Sequence, residues 1–162
     1  MFDYDGLRRA VATGLSKYLG CPVVRSNQNE NPPSYPYVSY TIITLMSENK
    51  GTYGVYEEGN GVIKRKPFTQ TWSITVQSDN NNESVNLAIK AQEWLDQVGK
   101  VYLDDNNVIV QSVGSVTNRD NFLSVGFEYR NGFDVVFWLM NEIQYETEEI
   151  EKTQINNIEY EK

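Results

Sequence analysis

Pro67-Phe-Thr-Gln-Thr-Trp-Ser-Ile-Thr-Val-Gln77 is the stretch whose reading decides the fold. Phe68, Trp72, Ile74 and Val76 fall on one parity; Thr69, Thr71, Ser73, Thr75 and Gln77 fall on the other. Gln70 is the only polar residue in the apolar row. Successive side chains of a pleated strand point to opposite faces, so this is a strand with one buried face. The Thr face is also strand-prone, because β-branched side chains suit a half-covered sheet. Ser78-Asp-Asn-Asn-Asn-Glu83 is a polar break, and after it the period changes. Leu87, Ala91, Trp94, Leu95 and Val98 recur as one stripe of an α-helix. Asn82 or a neighbouring Asp or Asn is placed to cap its start, and Gly99 stands where a left-handed C-terminal cap belongs. A strand, a short turn and an amphipathic helix predict a helix lying back on the sheet, with Trp72 and Trp94 in one core.

Before this unit, Leu7, Val11, Leu15, Tyr18 and Leu19 form the stripe of a first helix from about Asp5 to Leu19. Asp3 or Asp5 is placed to cap it, and Gly20-Cys-Pro22 ends it. A short extended piece, Pro22 to Arg25, leads into a polar loop, Ser26 to Pro36, which its prolines stiffen. Tyr37 to Met46 is a strand by residue type and length. Residues 47–66 are the least core-like part of the middle of the chain. Gly51, Gly54, Gly59 and Gly61 alternate there with Tyr53, Tyr56, Glu57 and Glu58, ahead of the basic run Lys64-Arg-Lys66. They read as a long excursion between paired strands, either an extended hairpin or a flexible loop.

After the central unit, Val101-Tyr-Leu103 is a short piece and Asp104-Asp-Asn-Asn107 a strong turn signal. Val108 to Val113 resumes as a strand, Thr117 to Asn121 reads as a loop, and Phe122 to Val125 is ambiguous. Phe127 to Met140 reads two ways. Asn131-Gly132 is a favoured hairpin dipeptide, yet Phe127, Tyr129, Phe133, Val135, Phe137 and Leu139 keep one parity straight through it. One long strand, with Gly132 as the place for a bulge, is the preferred reading. Ile143, Ile150, Ile155 and Ile158 are scattered among Glu residues in a tail too polar for a core, and Ile150 to Ile158 suit an edge strand added to a neighbour. The expected fold is α+β: a mostly antiparallel, mixed sheet of four to six strands with two main helices on one face. Residues 1–141 form a single domain and residues 142–162 an acidic tail.

The bulk numbers fit one soluble domain of 162 residues. The longest apolar run, Val135 to Met140, is far too short to span a bilayer. Met1-Phe-Asp-Tyr-Asp5 lacks a basic n-region and an apolar h-region, so no secretory signal is expected. Asn82-Glu-Ser84 fits a glycosylation sequon but is more usefully read as a helix start. The single cysteine, Cys21, excludes an internal disulfide framework and fits a reducing compartment. Net charge is −8 and uneven: residues 141–162 hold seven Glu and two Lys. Nucleic-acid binders carry a basic patch, and this chain shows none; any contact with DNA should be passive, as in lining a passage.

Catalytic and metal signatures are missing from the sequence. The chain has no histidine, the commonest general base and zinc ligand. Cys21, at a helix exit before Pro22, reads as a small buried residue rather than a nucleophile. Asp79 to Glu83 resembles the start of a calcium loop but lacks the Gly at the sixth position, and Lys90 replaces the twelfth-position Glu. Gly59-Asn-Gly61 lacks the spacing of a phosphate loop. The pairs Glu57-Glu58 and Asp104-Asp105 are solvated turn acids, and nothing sets two carboxylates across a cleft. Glu128 and Arg130 share one strand face with Asp134, as a surface ion pair or an inter-subunit contact. The residues therefore describe a non-enzymatic, self-associating domain with no cofactor or metal.

Pro22-Val-Val-Arg-Ser-Asn-Gln-Asn29, then Pro33 and Tyr35-Pro-Tyr37, resembles the opening motif of the phage neck or tail terminator proteins, a PVIRANQ–(A)P–PYPYV pattern after a first helix. The central strand and helix are similar to that family's arrangement. So are Val108-Ile-Val110, Val116 to Asp120, and Phe127-Glu-Tyr-Arg130 running into Gly132-Phe-Asp-Val-Val-Phe137. The resemblance covers about residues 5–140. It implies a sheet flanked by helices, assembled as a ring, usually hexameric, that caps the tail tube, stops its polymerisation and presents a surface to the head connector. The implied partners are the tail tube protein, a head-completion or connector protein, and DNA as cargo through the lumen, with no membrane. The implied place is the virion neck or tail end, assembled in the bacterial host cytoplasm. The residues themselves, rather than the motif, nominate the contacts: Tyr53, Tyr56, Lys64, Arg65 and Lys66 for the tube or adjoining ring, Glu128, Arg130 and Asp134 for a subunit boundary, and Ile150 and Ile155 for a neighbour. Another head–tail adaptor or minor tail protein, or a monomeric module capturing a peptide on a sheet edge, are the alternatives.

Overall fold

α1, Tyr4–Leu19, begins where the Asp3 carboxylate accepts the Gly6 N–H at 2.9 Å. The computed structural model of the chain describes residues 2–48, 54–59, 61–123 and 126–146. Leu7, Ala10, Val11 and Leu15 of α1 are buried, while Tyr18 is exposed. Gly20 ends the helix at φ 72° and ψ 23°, its N–H bonded to the Ser16 carbonyl at 2.8 Å. β1, Val23–Arg25, lies parallel to β2, Tyr37–Glu48, with the Ser26–Pro36 loop between them. β3, Gly54–Glu58, and β4, Gly61–Ser78, make an antiparallel hairpin. α2, Asn81–Glu93, is capped by Asn80, whose side chain accepts the Glu83 N–H at 3.1 Å. A π-helical turn, Trp94–Val98, joins α2 to α3, Lys100–Asp105. β5, Ile109–Val113, and two short strands, β6 (Thr117–Asn118) and β7 (Asn121–Leu123), precede β8, Gly126–Glu146.

The fold is α+β, as the sequence indicates, with an open mixed sheet ordered β1-β2-β4-β8-β5. β3 lies beside β4, and β6 and β7 lie beside β8. β4 and β8 are its spine, paired without a break from Gly61↔Glu146 to Ser78↔Tyr129. Trp72, at the centre of the deciding stretch, is fully buried; Tyr40 stacks on it at 4.7 Å and Phe137 meets it edge-on at 5.3 Å. Trp94 joins the same core, together with Leu7, Val11 and Leu15 of α1 and Ala88 and Ala91 of α2. Gln70, the polar residue of the apolar row, is satisfied there. Trp72 Nε1 donates to its Oε1 at 2.6 Å, and its Nε2 donates to the Leu45 carbonyl at 2.9 Å.

Several expectations need correction. Gly99 is not a left-handed cap: its φ is −85° and ψ is 1°. The helix does not stop there, so Val101-Tyr-Leu103 is helical, and Leu103 is fully buried. Gly99 is required because a Cβ would stand 2.3 Å from the Trp94 ring. The wider π winding also turns Val98 out of the stripe, leaving it 59% exposed. The left-handed residue that ends the helical run is Asn107, at φ 59°, inside the Asp104–Asn107 turn.

The excursion at 47–66 resolves in its second half as a hairpin. The central strand begins at Gly61, so Lys64, Arg65 and Lys66 belong to β4. Pro67, which has no N–H to donate, sits where β4 changes partner from β3 to β2. β8 does run straight through Asn131-Gly132, but its register with β4 holds no bulge at Gly132. The register shifts lie in β2, between Ile42 and Ser47, and in β5, between Val110 and Ser112. Thr117 to Asn121, read as a loop, contains β6 and the start of β7, both paired to β8. β8 continues past Met140 to Glu146, into the segment read as tail.

Candidate assembly interface

The sheet face away from the helices carries the Thr side of β4, and two loops are tied to it by charge. Glu128 points to this face and is nevertheless buried. Tyr35 Oη donates to Glu128 Oε2 at 2.5 Å, and Arg130 Nε donates to Glu128 Oε1. The hydrogen bond to Glu128, with burial, pushes the Tyr35 phenol up to about 12. Burial also raises the Tyr37 phenol, whose ring stacks on Tyr35 at 5.8 Å. Asp134, exposed on the same face, takes the Arg119 guanidinium at 3.0 Å. Arg119 also donates to Ser73 Oγ at 2.6 Å and Thr75 Oγ1 at 3.3 Å. An open polar cleft of about 520 Å³ lies between the Ser26–Pro33 loop and the sheet, lined in part by Arg25, Tyr37, Gln77 and Arg130.

A three-stranded arm extends from the other end of the sheet, built from β3, residues Gly61–Lys66 of β4 and residues Asn141–Glu146 of β8. Facing residues share a side across the ladder. Val55, Lys64 and Ile143 lie on one face with Glu57, Val62 and Tyr145; Gly54, Arg65 and Glu142 lie on the other with Tyr56, Ile63 and Gln144. Arg65 Nε donates to Glu142 Oε2 at 2.7 Å and its guanidinium lies 5.2 Å from the centre of the Tyr56 ring, both favouring its charged form. Lys64 Nζ lies 5.3 Å from the centre of the Tyr145 ring.

The nominated contact residues thus separate into two groups. Tyr56, Lys64, Arg65 and Lys66 meet in the arm, whereas Glu128, Arg130 and Asp134 belong to the loop-clamping face. Glu128 and Arg130 pair with each other, and Asp134 pairs with Arg119 instead. Tyr53, Ile150 and Ile155 lie outside the described residues. Sequence reasoning missed Arg119, because its partners sit on strands far away in the chain. It also missed the open sheet edges. Among the described residues, β2 beyond Tyr40 pairs only with β4, and it exposes Ile43, Leu45 and Met46. On the opposite side β5 reaches only to Trp138, so among the described residues β8 beyond it pairs with β4 alone.

Among the described residues no group of His, Cys, Asp and Glu is placed to hold a metal ion. Cys21 is buried, and burial pushes its thiol up, away from a nucleophile's range. A family model described as phage neck terminator protein matches residues 4–162.

The chain belongs to the phage neck terminator family. The match runs through the acidic tail as well as the sheet. It makes the chain a phage structural protein of the neck, in a family that is not one of enzymes. A neck protein is a virion component that meets other phage head or tail proteins. A search among curated proteins finds no match. No helix among the described residues is long and apolar enough to cross a membrane.

Proposed function

We propose that this neck terminator assembles as a hexameric ring that caps the tail tube, stops tube polymerisation and offers the docking surface for the head connector. The observation that carries the reading is the family match over nearly the whole chain. The two open edges on opposite sides of one sheet support it. Two different edges that pair with each other, one from each copy, do so without a two-fold axis. They favour head-to-tail contacts, which close into rings when the rotation permits. Residues 1–141 form the body of each subunit, and residues 142–162, whose first five extend β8 beside β4, carry an acidic tail toward a neighbour. The 47–66 excursion, with Tyr53, Tyr56, Lys64, Arg65 and Lys66, meets the tube or the adjoining ring. Glu128, Arg130 and Asp134 stand near a subunit boundary.

The mechanism asks for shape and like charge, with no cofactor. A lumen lined by an acidic protein lets DNA pass without holding it. The ring works at the virion neck and is assembled in the host cytoplasm, between the tail tube protein and a head-completion or connector protein. The family description also fits another adaptor at the neck, and position on the particle separates the two readings. The test is native mass spectrometry of the full chain across concentration, with and without isolated tail tubes. A species of six protomers, free or on tube ends, is the expected result. A protein that stays monomeric and leaves tube ends unbound overturns the reading.

A further inference from the structure

The arm presents a sheet face that the helices leave bare. The helical layer ends at Phe2, whose ring meets Phe68 edge-on at 5.0 Å. Beyond it, on the same side of β4, Val55 is 54% exposed, Ile143 52% and Tyr145 39%. Lys64 and Lys66 project from this side as well. The surface is an apolar strip with Lys64 and Lys66 along it and Glu57 near its tip. An amphiphilic strand with acids beside apolar residues would complement it.

We propose that the strip receives residues 147–162 of a neighbouring copy. The inference rests on the ring reading and names the contact that joins one subunit to the next. Residues 147–162 supply five Glu together with Ile150, Ile155 and Ile158. β8 ends at the tip of the arm, where Glu146 pairs with Gly61 beside the β3–β4 turn. The chain therefore leaves the tip pointing away from its own subunit. Folding back onto its own arm would need a reversal there. The following residues, Thr147 to Ile155, contain no Gly, Pro, Asn or Asp to make one. Extended at about 3.3 Å per residue, Ile150 to Ile155 matches the length of the Gly61–Lys66 segment of β4 in the arm. Each copy then donates one tail and receives one, and passed from neighbour to neighbour this exchange closes as a ring and leaves no strip exposed.

Cross-linking in the full chain tests this. All variants carry Cys21→Ala. One protein carries Val55→Cys; the other carries Ile150→Cys, Ile155→Cys or Ile158→Cys. Mixing and mild oxidation should give a two-chain product. Lys64→Glu with Lys66→Glu in the receiving chain should cut its yield about tenfold, as expected for opposed charges at a contact. Reversing Glu148, Glu149 and Glu151 to Lys in the donor should restore it. A double variant, Val55→Cys with Ile155→Cys, that cross-links only within one chain at every dilution would assign the tail to its own arm and overturn the proposal. No cross-link from any donor position, in a preparation that native mass spectrometry shows to be hexameric, overturns it while the ring stands. No assembly on or off tubes removes both.

Discussion

At Gly132 the β8 backbone lies so close to β4 that a Cβ would stand 2.2 Å from the Ile74 carbonyl oxygen and 3.0 Å from Thr75 Cα. Both are backbone atoms in the longest ladder of the sheet and cannot yield cheaply. Gly132→Ala should cost about 2 kcal/mol, in the range of other overpacking substitutions. An unchanged urea midpoint would show that the two strands part more readily than their register implies. Tyr35 offers a test through pH. Its hydrogen bond to Glu128 holds the folded phenol at about 12, against about 10 when unfolded. A raised pKa means that the folded state binds the proton more tightly. This contribution is therefore complete below about pH 10 and disappears as pH approaches about 12. Tyr35→Phe should cost about 1 kcal/mol at neutral pH, as a half-exposed hydrogen bond to a charged group suggests. The variant should also lose less stability than the parent between about pH 10 and 12. Parallel stability curves for the two proteins would exclude Glu128 as the partner.

Among the elements, α2 depends on its first turn. Asn80→Ala removes the acceptor of the Glu83 N–H and should lower stability by about 1 kcal/mol in thermal or urea unfolding. A shift no larger than that of a neighbouring surface alanine would mean that water replaces the cap. This strand, break and helix were legible because each states its period within a few residues: two through Pro67–Gln77, then the helical recurrence through Leu95. The π turn was not legible, since Trp94 and Leu95 fit an α stripe equally well and one extra residue of winding leaves no mark on composition. β8 was readable as one strand because its apolar parity never breaks between Phe133 and Leu139, which outweighs the local turn preference of Asn131-Gly132. The arm was not. Lys64-Arg-Lys66 looks like a solvated run until Asn141–Glu146 is seen to lie beside it, and that pairing joins residues far apart in the chain. The same distance hid Arg119, whose contacts with Ser73, Thr75 and Asp134 exist only once β4 and β8 are adjacent.

For the whole molecule the decisive quantity is charge and where it is already engaged. The net charge is −8. Four arginines are committed inside the chain: Arg8 to Asp5, Arg65 to Glu142, Arg119 to Asp134 and Arg130 to Glu128. Binding to duplex DNA gains most of its free energy from cations that replace counterions along the phosphates. Here an approaching duplex would have to break existing ion pairs or accept like-charge repulsion, which a dry, narrow passage would amplify. The protein should therefore leave duplex DNA unshifted in electrophoresis at physiological salt, even near 10⁻⁴ M, roughly the weak end of non-specific binding. Lower salt should not rescue binding, because a longer screening length exposes more of the net negative field. Retention of DNA that strengthens as salt falls would reveal a cationic track in the assembled protein. It would also recast the lumen of the proposed ring as a surface that grips its cargo.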